Sequence, residues 1–327
     1  MKLLIELSME CESLARAEAL AAAEALAGKP KVIAHEPGVL VIDTAADPVS
    51  LVGRLGLCHF VSEWKFTCSH EELGESAKEL DVPGPIRVRS TKVGEMKVDL
   101  AAVTRIVGGI VGKSRGVDLH NPVSDVRVVF SKRVHAGKVL GTVDRASFEK
   151  RKNRYMPYFY PASIHPKFAR ALVNIARVKS GGRLLDPFCG TGAIVTEASL
   201  SGLDAVGTDV SEKMIEGAKR NLKHVGAGAV LKVSDVGDIR RTVGRVDGIA
   251  TDPPYGKSTS TGGETVKALY KRAFEAFEDV LDRDSYLALV VPRISLLDDA
   301  RQFDLLEKHS LWVHRSLTRY FCLLRRC

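Results

Sequence analysis

Apolar positions alternate from Lys2 to Leu7, the period of a half-buried strand, and from Cys11 to Leu26 Ala, Leu and Glu recur at helical spacing until Gly28. Two alternating runs then flank Glu36-Pro37-Gly38 in KVIAHEPGVLVIDT, which predicts a hairpin. A helix over 48–55 and a strand over 58–66 complete a small α+β unit with ferredoxin-like element order. A second α+β unit follows: a helix over 71–80, a strand at PIRVRSTKV, a helix over 97–111, and strands at VRVVFS and HAGKVLGTV.

From Arg183 the pattern becomes regular. RLLDPF is followed by a helix from Gly192, DAVGTDV by a helix from Ser211, and then come AVLKVSD, GIATDPPY and YLALVVP. Short apolar strands alternating with helices predict an α/β, doubly wound parallel sheet, which binds its ligands beyond the carboxyl ends of the strands. SLWVHRSLTRYFCLLRR holds two strand runs joined by a short connection, which predicts an antiparallel edge. The chain has no internal repeat, and its one low-complexity tract is Ser258 to Gly263.

A length of 327 residues suits two domains at roughly 150 residues each, large enough to bury a core without staples. The 45% hydrophobic and 27% charged composition excludes disordered, collagenous and disulfide-scaffold classes. No run approaches the roughly 20 apolar residues of a membrane span, and Glu6, Glu10 and Glu12 interrupt any signal peptide, so a cytoplasmic, membrane-free monomer is expected. The six cysteines include no CxxC pair, so no metal site is expected, and a disulfide between Cys58 and Cys68 stays open.

The net charge of +8 is unevenly placed: between Pro85 and Arg170 there are 18 Lys and Arg against 6 Asp and Glu. Within that segment Arg145, Lys150, Arg151, Lys152 and Arg154, followed by Tyr155, Tyr158, Phe159 and Tyr160, form the kind of run that tracks phosphates and stacks bases. A solvated linker is the other reading of the same run.

The chemistry-bearing motifs lie at the strand ends. LLDPFCGTG ends a strand and opens a helix with Gly190 and Gly192, which let the backbone approach a ligand. It lacks the lysine of a phosphate loop and the third glycine of GxGxxG, so a ligand without phosphates suits it. Asp209, 19 residues after Gly190, is placed to accept ribose hydroxyls, and Asp235 ends the next strand, where an adenine would lie. The fourth strand ends in Asp252-Pro253-Pro254-Tyr255-Gly256. An exocyclic amine is a poor nucleophile because its lone pair is conjugated into the ring. The Asp252 carboxylate and the Pro253 carbonyl supply two acceptors for its N–H bonds, on a backbone stiffened by Pro-Pro, and Tyr255 supplies a stacking face.

LLDPFCGTG with DPPYG resembles the class I S-adenosylmethionine-dependent methyltransferases that act on exocyclic amines of nucleobases. YFYPASIHPKFARALVNIA, from Tyr158 to Ala176, with DPPYGKSTSTGGE, narrows the resemblance to the archaeal tRNA guanosine-10 N2-methyltransferases over roughly residues 150–326. The resemblance implies a ferredoxin-like unit over 1–66, a THUMP RNA-binding domain over 67–147, a linker over 148–163 and a Rossmann-like methyltransferase domain over 164–327. It implies cofactor contacts from Asp186, Gly190, Gly192, Asp209 and Asp235, catalysis by Asp252, Pro253 and Tyr255, and tRNA as partner. The expected product is N2-methyl- or N2,N2-dimethylguanosine at position 10. The same motifs leave open another tRNA position, a DNA adenine N6-methyltransferase and a non-catalytic RNA-binding protein. His165, in the segment that packs over the cofactor in such enzymes, reads as a structural histidine.

Overall fold

The computed structural model describes residues 1–161, 163–256, 263–315 and 317–327; most of the low-complexity tract, residues 258–262, lies outside them. The first half runs β1 (Lys2–Leu7), α1 (Glu12–Ala27), β2 (Lys31–Glu36), β3 (Val39–Asp43), α2 (Pro48–Arg54), β4 (Cys58–Cys68), α3 (Leu73–Lys78), β5 (Ile86–Lys92), α4 (Leu100–Arg115), β6 (Ser124–Phe130) and β7 (Val134–Thr142). The second runs α5 (Arg145–Lys150), α6 (Pro166–Ile175), β8 (Arg183–Asp186), α7 (Ala193–Leu200), β9 (Asp204–Asp209), α8 (Glu212–Val225), β10 (Val230–Val233), α9 (Ile239–Thr242), β11 (Val246–Thr251), α10 (Val266–Val280), β12 (Leu281–Val291), β13 (Phe303–His314) and β14 (Leu317–Arg326).

Local chemistry sets the ends of these elements. Asp47, Asp99 and Asp144 each cap a helix by accepting an amide of its first turn, and Gly28, at a φ of 85°, ends α1. The expected hairpin is β2–β3, paired from Lys31–Asp43 to Glu36–Val39. Strands β2-β3-β1-β4, with α1 and α2 as crossovers, have ferredoxin-like order.

The sheet does not stop there. β4 is eleven residues long and pairs antiparallel with β1 on one side and β7 on the other, so one sheet runs β2-β3-β1-β4-β7-β6-β5. The boundary expected between residues 66 and 67 falls inside β4, and the two α+β units share a hydrogen-bonded sheet. Cys58 and Cys68 sit at opposite ends of that strand, roughly 30 Å apart at 3.3 Å per residue, which excludes the disulfide left open by the sequence. Both are free thiols.

The second sheet has the order β10-β9-β8-β11-β12-β14-β13. Strands β10, β9, β8, β11 and β12 are parallel, whereas β14 and β13 run antiparallel, as the closing pattern predicts. The strand order reverses between β8 and β11, and a crevice opens at such a switch point beyond the carboxyl ends.

The two halves share one apolar core: Leu14, Leu51, Leu57 and Phe148 pack in the same cluster as Phe168, Leu172, Leu184 and Val195. Through it runs a buried polar network. Glu18 accepts the amides of Gly56 (2.8 Å) and Leu57 (2.7 Å) and the Asn174 side chain (3.0 Å). Arg54 donates to Asn174 (3.0 Å) and to the Val178 carbonyl (3.2 Å), while Arg170 donates to the Gly53 carbonyl (2.7 Å) and pairs with Glu197 (2.8 Å).

Candidate active site

The candidate cofactor loop is the turn from β8 into α7. Gly192, at a φ of 86°, occupies the left-handed region, and a Cβ there would approach Leu222 at 2.8 Å and Ala218 at 3.1 Å. Gly190 has a φ of 48°, and a Cβ on it would meet nothing within 4 Å. The loop is thus closed against α8 behind Gly192 and open in front of Gly190, the shape a ligand approaching the backbone needs. Behind the loop, Asn221 donates to the carbonyls of Thr191 (3.1 Å) and Tyr158 (3.0 Å), and the Ser163 and Thr191 hydroxyls lie 2.7 Å apart.

Three acidic residues ring the opening. Asp186, 1% exposed at the end of β8, accepts from the Thr251 hydroxyl (2.7 Å) and the Phe188 amide (3.2 Å). Burial, reinforced by the neighbouring Asp252 and Asp209 carboxylates, pushes its carboxyl up to about 7 in spite of those two donors. Asp209, at the end of β9, receives the amides of Gly190 (3.0 Å) and Ser211 (2.9 Å), and burial raises its carboxyl too. Because each carboxylate oxygen has two lone pairs, Asp209 keeps acceptor capacity beyond these two amides.

Asp235 is placed differently. It lies two residues past β10, accepts the Gly237 amide (2.8 Å) and pairs with Arg272, which also pairs with Glu264. Burial opposes ionisation of Asp235, but Arg272 and the amides outweigh it and hold the carboxyl below its ordinary value. Any adenine contact from Asp235 is made by a group already engaged by α10.

Asp252 follows β11 directly, beside the cofactor loop because β11 pairs with β8. Its Oδ1 accepts the Tyr255 hydroxyl at 2.5 Å, and its Oδ2 faces an Arg319 guanidinium nitrogen at 3.9 Å. Burial raises the Asp252 carboxyl, and Arg319 and Tyr255 pull only part of the way back. Burial and the Asp252 charge push the Tyr255 phenol well above its usual range. Tyr255 therefore orients the carboxylate, a task beyond the stacking face expected of it. The Tyr270 hydroxyl, on α10, is a second buried phenol raised by burial and then by Asp252. Sequence reasoning missed Arg319, Thr251 and Tyr270; none lies in a motif, and each reaches the site only through strand or helix packing.

The basic run is divided. Arg145, Lys150 and Arg154 are exposed, with Arg145 3.0 Å from His59 and Arg154 stacked 4.8 Å from the Tyr155 ring centre. Lys152 pairs with Glu149. Arg151 is removed from the candidate set: it points inward, makes a two-pronged contact with buried Glu197 at 2.7 and 3.1 Å, and lies over Phe148. Tyr158 packs on Gly217, where any side chain would overlap it, leaving Tyr155 and Phe159 as exposed rings. Within this segment Arg151 and Tyr158 are packed against the second half, and the solvated-linker reading fails for these two. His165 is structural, as expected: its ring accepts the Lys167 amide at 3.2 Å to cap α6 and lies 3.3 Å from Glu149.

Among the described residues no group of His, Cys, Asp or Glu is arranged to hold a metal, and no helix is long and apolar enough to cross a membrane.

Comparison with known proteins adds to this geometry. Residues 153–320 match the RMKL-like methyltransferase domain family. The chain is 34% identical to the tRNA (guanine(10)-N2)-dimethyltransferase of Methanothermobacter thermautotrophicus, with 100% of both chains covered. It is 33% identical to the enzyme of the same name from Pyrococcus abyssi, covering 89% of this chain and 84% of that one. The crystal structure of TrmN from Thermus thermophilus superposes with a TM-score of 0.56 at 25% identity, 100% of each chain being covered. The chain belongs to the RMKL-like methyltransferase family, alongside the archaeal tRNA (guanine(10)-N2)-dimethyltransferases.

Proposed function

We propose that the protein is an S-adenosylmethionine-dependent tRNA methyltransferase that modifies the exocyclic N2 of guanosine at position 10, to the N2,N2-dimethyl product. The observation that carries the reading is the partly buried Asp252 carboxylate, oriented by Tyr255 and set beside a glycine loop open in front of Gly190. Two relatives covered over most of their length are named for that reaction, which supports the substrate and the double methylation.

The bound cofactor supplies a methyl group already activated on a sulfonium. Asp186, Gly190, Gly192 and Asp209 would hold it, with Asp235 toward its adenine. The protein's contribution is positional: Asp252 and the Pro253 carbonyl accept the two amine N–H bonds, which turns the nitrogen lone pair toward the methyl carbon. Asp252 then takes the proton released once the new N–C bond has formed. The guanosine must leave its stack to reach this crevice, a step costing a few kcal/mol. Base stacking of about 1–3 kcal/mol per base offsets it, as do phosphate contacts from Arg145, Lys150, Lys152 and Arg154. The shared first sheet would dock the tRNA, with residues 67–147 acting as the THUMP module.

The test is to incubate the protein with S-adenosylmethionine and an unmodified tRNA transcript, then map modified nucleosides by mass spectrometry. N2,N2-dimethylguanosine at position 10 is expected. Methylation at another guanosine would move the position, and methyladenosine in DNA would overturn the substrate.

A further inference from the structure

Arg319 belongs to no motif, yet the topology delivers it to the crevice. β14 runs antiparallel to β12, with Tyr320 opposite Val291, so the first residues of β14 lie at the carboxyl end of the parallel strands, where ligands bind. There Arg319 faces Asp252 at 3.9 Å, which is an ion pair but too long for a hydrogen bond. Its side chain is 15% exposed, and its buried Nε has no hydrogen-bond partner among the described residues. A largely desolvated guanidinium whose donors are not closed onto its neighbouring carboxylate is ready for an acceptor on a ligand.

The chemistry of the base supplies that acceptor. Along one edge guanine presents N2–H, N1–H and the O6 carbonyl in sequence. A carboxylate facing N2–H and N1–H with its two oxygens leaves O6 beside Oδ2, the side on which Arg319 stands. Adenine, offering an unprotonated N1 and an amine at the O6 position, would set a lone pair against the carboxylate and an N–H against the guanidinium.

We propose that Arg319 selects guanine by donating to O6 while Asp252 accepts from N1–H and N2–H. The inference rests on the guanosine-N2 reading and adds to it the residue that separates guanine from other amino-bearing bases. Removing the guanidinium would also leave only the Tyr255 hydroxyl to oppose burial, so the Asp252 carboxyl would rise further.

The experiment compares tRNA carrying guanosine or 2-aminopurine at the target position; 2-aminopurine keeps the 2-amino group but lacks O6 and N1–H. Wild-type protein should favour guanosine. In Arg319→Ala the guanosine kcat/KM should fall by about 10- to 100-fold, the value of one charged hydrogen bond, with 2-aminopurine nearly unaffected, so that the ratio falls by the same factor while the part due to N1–H remains. The acid limb of the guanosine pH profile should move to higher pH. Arg319→Lys, which keeps the charge and fits the same space if the alanine variant does not fold, should lose the ratio in part. If both substrates fall by the same factor, so that the ratio is unchanged, Arg319 is structural and the proposal fails. If wild-type protein methylates no guanosine at all, the underlying functional reading fails instead.

Discussion

Asp186 is a buried and Asp252 a partly buried carboxylate at a strand end, and their partners give them different environments. Asp252 holds one phenol and faces one cation, which leaves acceptor capacity for the substrate amine of the proposed reaction. Asp252→Ala should lower transfer by about 10²- to 10³-fold, the range seen when one preorganised hydrogen-bonding group is lost from a site. Cofactor affinity, measured by calorimetry, should stay within about threefold, and loss of both together would move Asp252 out of the transfer step. Asp186 makes a pH prediction. Burial pushes its carboxyl up to about 7, above its ordinary 3.8, so the protonated form is the one that folding favours. Its contribution to stability is complete below 3.8 and is lost as pH rises through 7. A cationic ligand reverses the preference, because it binds best to the ionised carboxylate. Affinity for S-adenosylmethionine should therefore tighten as pH rises toward 7, by at most about tenfold per unit, and then level off. Asp186→Asn should remove that slope, and an unchanged slope would assign it to another carboxylate raised by burial, such as Asp209.

At the scale of elements, the site is a set of ties between neighbouring strands. Thr251 at the end of β11 donates to Asp186 at the end of β8, and Asp209 at the end of β9 holds the Gly190 amide, so three strand ends and one loop move together. Gly192→Ala attacks this unit at its tightest point, where a left-handed φ coincides with contacts to Leu222 and Ala218. It should lower the melting temperature by an amount equivalent to about 1–3 kcal/mol and weaken cofactor binding, whereas Gly190→Ala, with open space before it, should act on binding more than on stability. A binding-neutral Gly190→Ala would mean that the ligand does not approach that face. The glycines and strand-end aspartates were legible because each is fixed within one strand and its turn. Arg319, Arg272 on Asp235, and the inward turn of Arg151 were not, because they depend on which distant element packs alongside. The extension of β4 across the expected boundary escaped for the same reason: a strand's length follows from alternation, but whether its second edge is paired does not.

Across the whole molecule, the basic segment and the catalytic sheet are joined by buried polar groups. Exposed Arg145, Lys150 and Arg154, with Lys152, are the candidates for binding phosphate. Neutralising them together should flatten the slope of log tRNA affinity against log salt by about 0.7–0.9 for every RNA phosphate that is no longer paired with a cation, and an unchanged slope would place the RNA elsewhere. The join itself depends on Glu18. Both of its oxygens are filled by donors, two from the backbone before β4 and one from Asn174 on α6, so it links α1 of the first half to the helix leading into the second sheet. Asn174 in turn receives Arg54, and nearby Arg170 passes the connection to Glu197 on α7, the helix that opens at the cofactor loop. Glu18→Ala strands the Gly56 and Leu57 amides in a fully buried site, leaves the Asn174 amide with only the Arg54 carbonyl as acceptor, and removes the carboxylate beside Arg54 and Arg170. The expected loss is about 3–5 kcal/mol. Because the apolar core is also continuous across the halves, the loss should appear as one earlier unfolding transition and not as release of one half. Hydrogen exchange at the Gly56 and Leu57 amides should accelerate together with exchange in α7. If those amides exchange faster while α7 is unchanged, the network holds the halves together without reaching the cofactor loop.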